Sequence, residues 1–144
     1  MARYLVTGAA GFIGSEVAKR LIKDGNDVVT IDNLSTGFEC NIPDGVTFIK
    51  GDCADSSVYT KISDSCFDAI FHIAGQSSGE ISFDDPIYDI RTNAESTILL
   101  LNFALENNCR RLIYASSMSV YGVKPDKPVM EKEDCKPQSF YGVA

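Results

Sequence analysis

The stretch LVTGAAGFIGS, residues 5–15, limits what this chain can become more than any other. Leu5, Val6 and Thr7 end a strand-like run at Gly8. Glycine then recurs at Gly11 and Gly14 as a helical pattern begins at Phe12 and Ile13. Glycines at this spacing, between a strand pattern and a helix pattern, make a tight turn whose backbone can pass close to another group. The helix that follows opens with N–H groups that have no partner inside it. Such a turn is the phosphate-cradling element of a dinucleotide-binding βαβ unit. Its form here is Gly-x-x-Gly-x-x-Gly, rather than the Gly-x-Gly-x-x-Gly of many dehydrogenases.

The rest of the chain continues that alternation. Strand patterns are predicted at 3–7, 28–31, 46–50, 68–73 and 111–116. Helices are predicted at about 12–24, 55–63 and 86–107. Phe12, Ile13, Val17, Leu21 and Ile22 supply the apolar stripe of the first, and Gly25 stops it. Ile90, Ala94, Ile98, Leu101 and Leu105 supply that of the last. A polar loop separates the second and third strands, and residues 123–136 read as irregular. Apolar strands alternating with helices give an α/β domain, a Rossmann-like doubly wound parallel sheet with about five strands. The 144 residues fit one such domain; a chain of this length buries about 68–70% of its unfolded surface.

Charge narrows the partners. A net charge of −7 and a pI near 4.6 disfavour nucleic acid and anionic membrane surfaces, so a phosphate ligand has to be met by dipoles and backbone N–H groups. Five widely spaced cysteines without Cys-x-x-Cys, and one histidine, make no metal set. They read as reduced thiols of a cytoplasmic protein. No stretch approaches the roughly 20 apolar residues of a membrane span, and the start is read as carrying no export signal.

Several residues stand where such a fold places chemistry. Asp32 ends the second strand, 18 residues past Gly14, where a carboxylate can accept from an adenosine ribose. No Arg or Lys lies between Asp32 and Ile49 to hold a 2′-phosphate, so NAD is favoured over NADP. Asp52 and Cys53 end the third strand. Asp52 there either meets an adenine or caps the helix at 55–63. Ile73, Ala74 and Gly75 end the fourth, with side chains small enough for a cofactor to pass. His72 reads as a hydrogen-bonded core histidine rather than a catalyst. Asn93 lies mid-helix, which its propensity disfavours; it is either solvent-facing or buried to fix backbone geometry beside the site. Ser116 and Ser117 end the fifth strand, as a turn or as hydroxyls for a reacting alcohol.

Taken together, TGAAGFIGS, DNLSTG, GDCAD, HIAGQ, the Asn93/Thr97 pair, SSMSVYG and YGVA occur in an order that resembles the extended short-chain dehydrogenase/reductase superfamily. Within it the resemblance is to the NAD-dependent nucleotide-sugar epimerases and dehydratases. It covers essentially the whole chain. It implies NAD contacts at Gly8, Gly11, Phe12, Ile13, Gly14, Asp32, Asn33, Ser35, Thr36, Gly37, Asp52, Cys53, Ile73, Ala74, Gly75, Asn93 and Ser116. It implies that Tyr141 takes the proton from a sugar hydroxyl while Ser117 hydrogen-bonds the same oxygen, hydride passes to NAD, and a keto-sugar forms. A UDP-sugar substrate and a homodimeric parent follow from the same resemblance. Dehydratases carry an Asp-Glu pair where this chain has Met118-Ser119, and neither of these does acid–base work near neutral pH. The pattern is thus closer to the 4-epimerases; a dehydratase or reductase of the same superfamily, or a non-catalytic NAD sensor, is the alternative. The family's Lys falls at position 145, one past Ala144. The chain is therefore expected to be an inactive N-terminal fragment: an incomplete NAD-binding domain over 1–144, without the sugar-binding domain, its short terminal helix frayed unless packing pins it.

Overall fold

A computed structural model describes residues 1–64, 66–124 and 128–144. Five strands, β1 (Arg3–Thr7), β2 (Asp27–Asp32), β3 (Thr47–Lys50), β4 (Ala69–His72) and β5 (Leu112–Tyr114), form one sheet. The order is β3-β2-β1-β4-β5 and every pairing is parallel. The chain steps outward from β1 to β3, then returns to the other side of β1 for β4 and β5. A crevice therefore opens between the carboxyl ends of β1 and β4, where a doubly wound sheet takes its ligand. The expected Rossmann-like architecture is the observed one.

Strand alternation divides the core into two layers. Leu5, Val29, Ile31 and Ile70 pack with Leu100, Phe103 and Ala104 of α4 (Ser96–Glu106) and with Val58 and Tyr59. Tyr59 and Phe103 stack with ring centres 5.1 Å apart. On the other face Val6 and Val28 meet Ala18, Val17, Leu21 and Ile22 of α1 (Phe12–Lys23). The stripe predicted for α1 is right from Val17 onward and wrong at its start. Phe12 and Ile13 are exposed, because Gly14 and Ser15 are what the helix presses against the sheet.

The helices differ from expectation in three further places. The segment predicted at 55–63 is a 3-10 turn over Ser56–Lys61, held to the end of β3 by the Tyr59 hydroxyl, which donates to the Cys53 carbonyl at 2.9 Å. Its cap is Asp55, which accepts from Ser57 N–H at 2.9 Å, so capping by Asp52 does not occur. The helix predicted at 86–107 is α3 (Pro86–Ile90), a π turn over Arg91–Glu95, and α4; an unexpected α2 (Gly79–Asp84) precedes it. Ser78 and Asp85 cap α2 and α3.

The largest departure from expectation is the inner face of this helical stretch. Asp89 and Asn93, then Ser96, Leu100, Phe103 and Ala104, face inward at ordinary helical spacing on both sides of the π turn. Ile98, Leu101 and Leu105 of the predicted stripe, and Ile90 before them, stay exposed. α4 is apolar nearly all round (STILLLNFAL), and periodicity alone could not choose its inner face.

The last helix, α5 (Phe140–Val143), is a single turn, and it is packed rather than isolated. Ser139 accepts from Gly142 N–H at 3.0 Å, and Phe140 meets Phe83 of α2 edge to face at 5.7 Å. Among the described residues all five cysteines are free, Cys53 and Cys109 buried and the others exposed. No helix among them is long and apolar enough to cross a membrane.

The choice of inner face has a direct consequence. Leu100→Ala is expected to cost about 3 kcal/mol in urea denaturation, and Leu105→Ala less than about 0.5 kcal/mol. Equal losses would show that α4 packs by the other face.

Candidate functional site

Two adjoining cavities occupy the crevice. The larger, ≈ 390 Å³, is bounded by the glycine turn (Gly8, Gly11, Phe12, Ile13, Gly14) and by Asp32, Asn33, Ser35, Thr36 and Gly37 after β2. Asp52 and Cys53 after β3, and Ile73, Ala74 and Gly75 after β4, complete the expected set. The second, ≈ 220 Å³, is lined by Ser116, Ser117, Tyr141 and Asn93, and shares Ile13, Ile73, Ala74, Gly75 and Ser77 with the first. The chain's alternation thus brings every sequence-predicted position to one crevice. Gln76, Ser77, Tyr88, Thr92 and Tyr114 line it as well. The sequence did not single these out; Gln76 and Ser77 had a signal in their place directly after Gly75.

The glycine turn is built by close backbone contact. A Cβ on Gly14 would strike the Gly8 carbonyl, and one on Gly8, at φ +74°, would sit 2.7 Å from Ala74 N. α1 follows Gly11 at its N-cap, with no side-chain cap and no acidic residue in its first turn. A 12-residue helix therefore presents its positive end and free N–H groups to the larger cavity. That is a site for a diphosphate, so the residues present fit a dinucleotide.

The acidic residues around it are tied down. Asp32, 8% exposed, accepts from Ala10 N–H at 2.9 Å and Leu34 N–H at 2.7 Å. It joins the glycine turn to the loop after β2, and each oxygen keeps a lone pair for a ligand. Asp52 accepts from Ala54 N–H at 2.8 Å and lies 3.5 Å from Asn33 Nδ2. Burial first, then the carboxylates of Asp52 and Asp32, push the Cys53 thiol up to about 12, which leaves it protonated and unreactive. No three His, Cys, Asp or Glu among the described residues gather to hold a metal.

His72 is a core residue with every ring nitrogen partnered. Thr97 Oγ1 donates to Asn93 O at 2.6 Å and Ser96 Oγ to Thr92 O at 2.6 Å. Their oxygens are then acceptors for His72 Nε2–H, at 3.1 and 3.3 Å. Nδ1 must accept, from the Thr7 hydroxyl at 2.7 Å. Thr7 Oγ1 in turn accepts from Ile73 and Ala74 N–H at 3.2 and 3.1 Å. Burial holds the imidazole down at about 4.

Asn93 takes the buried alternative. It is 6% exposed; its Oδ1 accepts from Gln76 N–H at 3.0 Å and its Nδ2 donates to Gln76 O at 3.1 Å. Ser117 Oγ accepts from Ser119 N–H at 3.2 Å, opening the 3-10 turn over Met118–Tyr121. Tyr141 sits in the turn of α5, beside Tyr114 in the second cavity. Burial, then the nearby Tyr141, push the Tyr114 phenol up, and the Asp89 carboxylate adds to this.

A five-stranded parallel sheet, with a glycine turn and an uncapped helix facing its switch point, defines a Rossmann-like dinucleotide-type domain. The chain belongs to the NAD-dependent epimerase/dehydratase family, whose sequence model matches residues 4–144. A UDP-glucose 4-epimerase of Mycolicibacterium smegmatis is 39% identical over 96% of this chain and 46% of the relative. The solved UDP-glucose 4-epimerase of Thermus thermophilus in complex with NAD superposes with a TM-score of 0.91, at 33% identity, over 98% of this chain and 46% of that one. That of Thermotoga maritima with UDP-glucose gives 0.92, at 33% identity, over 98% and 47%. The chain spans less than half the length of these relatives.

The histidine predicts a pH dependence. Because its folded value lies below the ordinary 6.5, the unfolded chain binds the extra proton first. Stability is present above pH 6.5 and is lost as pH falls towards 4. About 2 kcal/mol should disappear between pH 7 and pH 5, and urea titrations of His72→Gln should not show that loss.

Proposed function

We propose that residues 1–144 are the NAD-binding part of a nucleotide-sugar 4-epimerase acting on a UDP-sugar. The observation that carries this reading is the sharing of one wall by two cavities. The glycine turn and Asp32 lie on one side of that wall, and Ser117 with Tyr141 on the other. In this reading the N-terminus of α1 holds the pyrophosphate, Asp32 the adenosine ribose, and Asp52 with Cys53 the adenine edge. Ile73, Ala74 and Gly75 make room for the remainder. Bound NAD supplies a reversible hydride acceptor beside the sugar.

The chain's own residues supply the proton chemistry. As phenolate, the Tyr141 oxygen takes the proton from a sugar hydroxyl, becoming the phenol, and returns it later; the Ser117 hydroxyl hydrogen-bonds the same sugar oxygen. Met118 and Ser119 stand where an eliminating enzyme needs an acid and a base, and neither serves as one. That supports epimerisation over dehydration. The exposed apolar face of Ile90, Ile98, Leu101 and Leu105 suits burial against a second copy, which supports a homodimer.

Calorimetric titration with NAD tests the cofactor assignment. Saturating NAD at about 100 times its Kd should add about 2.7 kcal/mol of stability, and Asp32→Ala should weaken binding. A protein with neither response to NAD lacks the function proposed. For the chemistry, Tyr141→Phe in the product of the complete gene should retain NAD and lose interconversion of UDP-hexose 4-epimers by at least about 10²-fold.

A further inference from the structure

We infer that Asp89 is a positioning residue, holding through Gln76 and Asn93 the segment that forms the common wall of the two cavities. Asp89 is fully buried, on α3 one turn before Asn93. Its Oδ1 accepts from Gln76 Nε2 at 2.7 Å and from Asn93 Nδ2 at 3.1 Å. Asn93 grips the backbone of Gln76 on both sides, while the Gln76 side chain donates to Ser78 O at 2.8 Å and accepts from Ser78 N–H. The three side chains and the backbone of Gln76 form a closed ring. Both amide groups have every donor placed, and their orientations are fixed because each meets a backbone N–H or C=O.

The ring acts on the wall itself. Gly75 and Ser77, on either side of Gln76, line both cavities. A Cβ on Gly75 would stand 2.6 Å from Asn93 Oδ1, so the segment runs hard against the ring. The π turn over Arg91–Glu95 widens the helix where Asp89 and Asn93 reach across, a device that recurs at functional sites. Asp89 Oδ2 has no partner among the described residues. A buried half-satisfied carboxylate is a poor choice for stability alone; here it provides one oxygen that two amide donors can share. The Asp89 carboxylate also acts on Tyr114, the neighbour of Tyr141 in the second cavity.

This inference rests on the dinucleotide reading for its consequence, though not for its geometry, and the two are tested separately. In the unliganded protein, Asp89→Ala should speed amide exchange at Gln76 and Ser78 by about tenfold or more, with the Ile70 amide of β4 unchanged. Asp89→Asn, which keeps an acceptor oxygen facing both amides, should restore slow exchange. If Asp89→Ala fails to fold, Gln76→Leu should give the same local loss by opening the ring from the segment's side. NAD affinity should fall about tenfold in Asp89→Ala, recover in Asp89→Asn, and stay unchanged in Leu105→Ala, at an exposed position of α4 that lines neither cavity. Loss of protection spread evenly over β4, NAD affinity unaffected by Asp89→Ala, or an Asn variant as impaired as the Ala variant overturns the assignment. A wild-type protein that ignores NAD while Asp89→Ala still frees Gln76 and Ser78 sinks the dinucleotide reading and leaves the positioning role standing.

Discussion

The Thr7 hydroxyl splices the two strand ends between which the site opens. It sits at the last residue of β1, donates to His72 at the last residue of β4, and accepts the N–H groups of Ile73 and Ala74. At this point the strand order reverses, and the ladder between the two strands ends. A side chain takes over where backbone pairing stops. The geometry above it follows: Gly8 can press on Ala74, α1 can start directly over the crevice, and the wall formed by Ile73–Ser77 faces both cavities. An isolated His72 would be an expensive ionisable group in a core. With Thr7 on one nitrogen and Ser96 and Thr97 on the other, it is a neutral strut that also reaches α4.

Much of this was legible in the sequence, for reasons that differ by element. The sheet was legible because short apolar runs alternating with helical patterns encode parallel strands, and all five fall within a residue or two of their expected places. The crevice was legible because the glycine turn and Asp32 are at fixed distances along one βαβ unit. The inner face of α4 was not, because a helix apolar on every side leaves its orientation to tertiary packing. Asp89 escaped notice for a related reason: in PIYDIRTN it reads as one polar residue on a surface helix. Only the fold shows it turned inward towards Gln76. Asn93 drew attention because its propensity was wrong for its place, and that mismatch proved to be a buried structural demand.

The charge of the protein sharpens what the site must do. The chain is acidic, at −7, and among the described residues no lysine or arginine lines either cavity. A phosphate placed there would meet N–H groups that cannot be neutralised by pH, with the Asp32 and Asp52 carboxylates in the same cavity. Helix termini and oriented amides supply directional partial charge close in, with little field at a distance. Such a site trades capture speed for placement. That suits a cofactor that stays bound through turnover better than one exchanged at every cycle, because a resident group needs fixed geometry far more than rapid recruitment. A wall pinned at Gln76 by a buried ring, and at Ile73 and Ala74 by Thr7, is the same preference for placement expressed in the protein's own backbone.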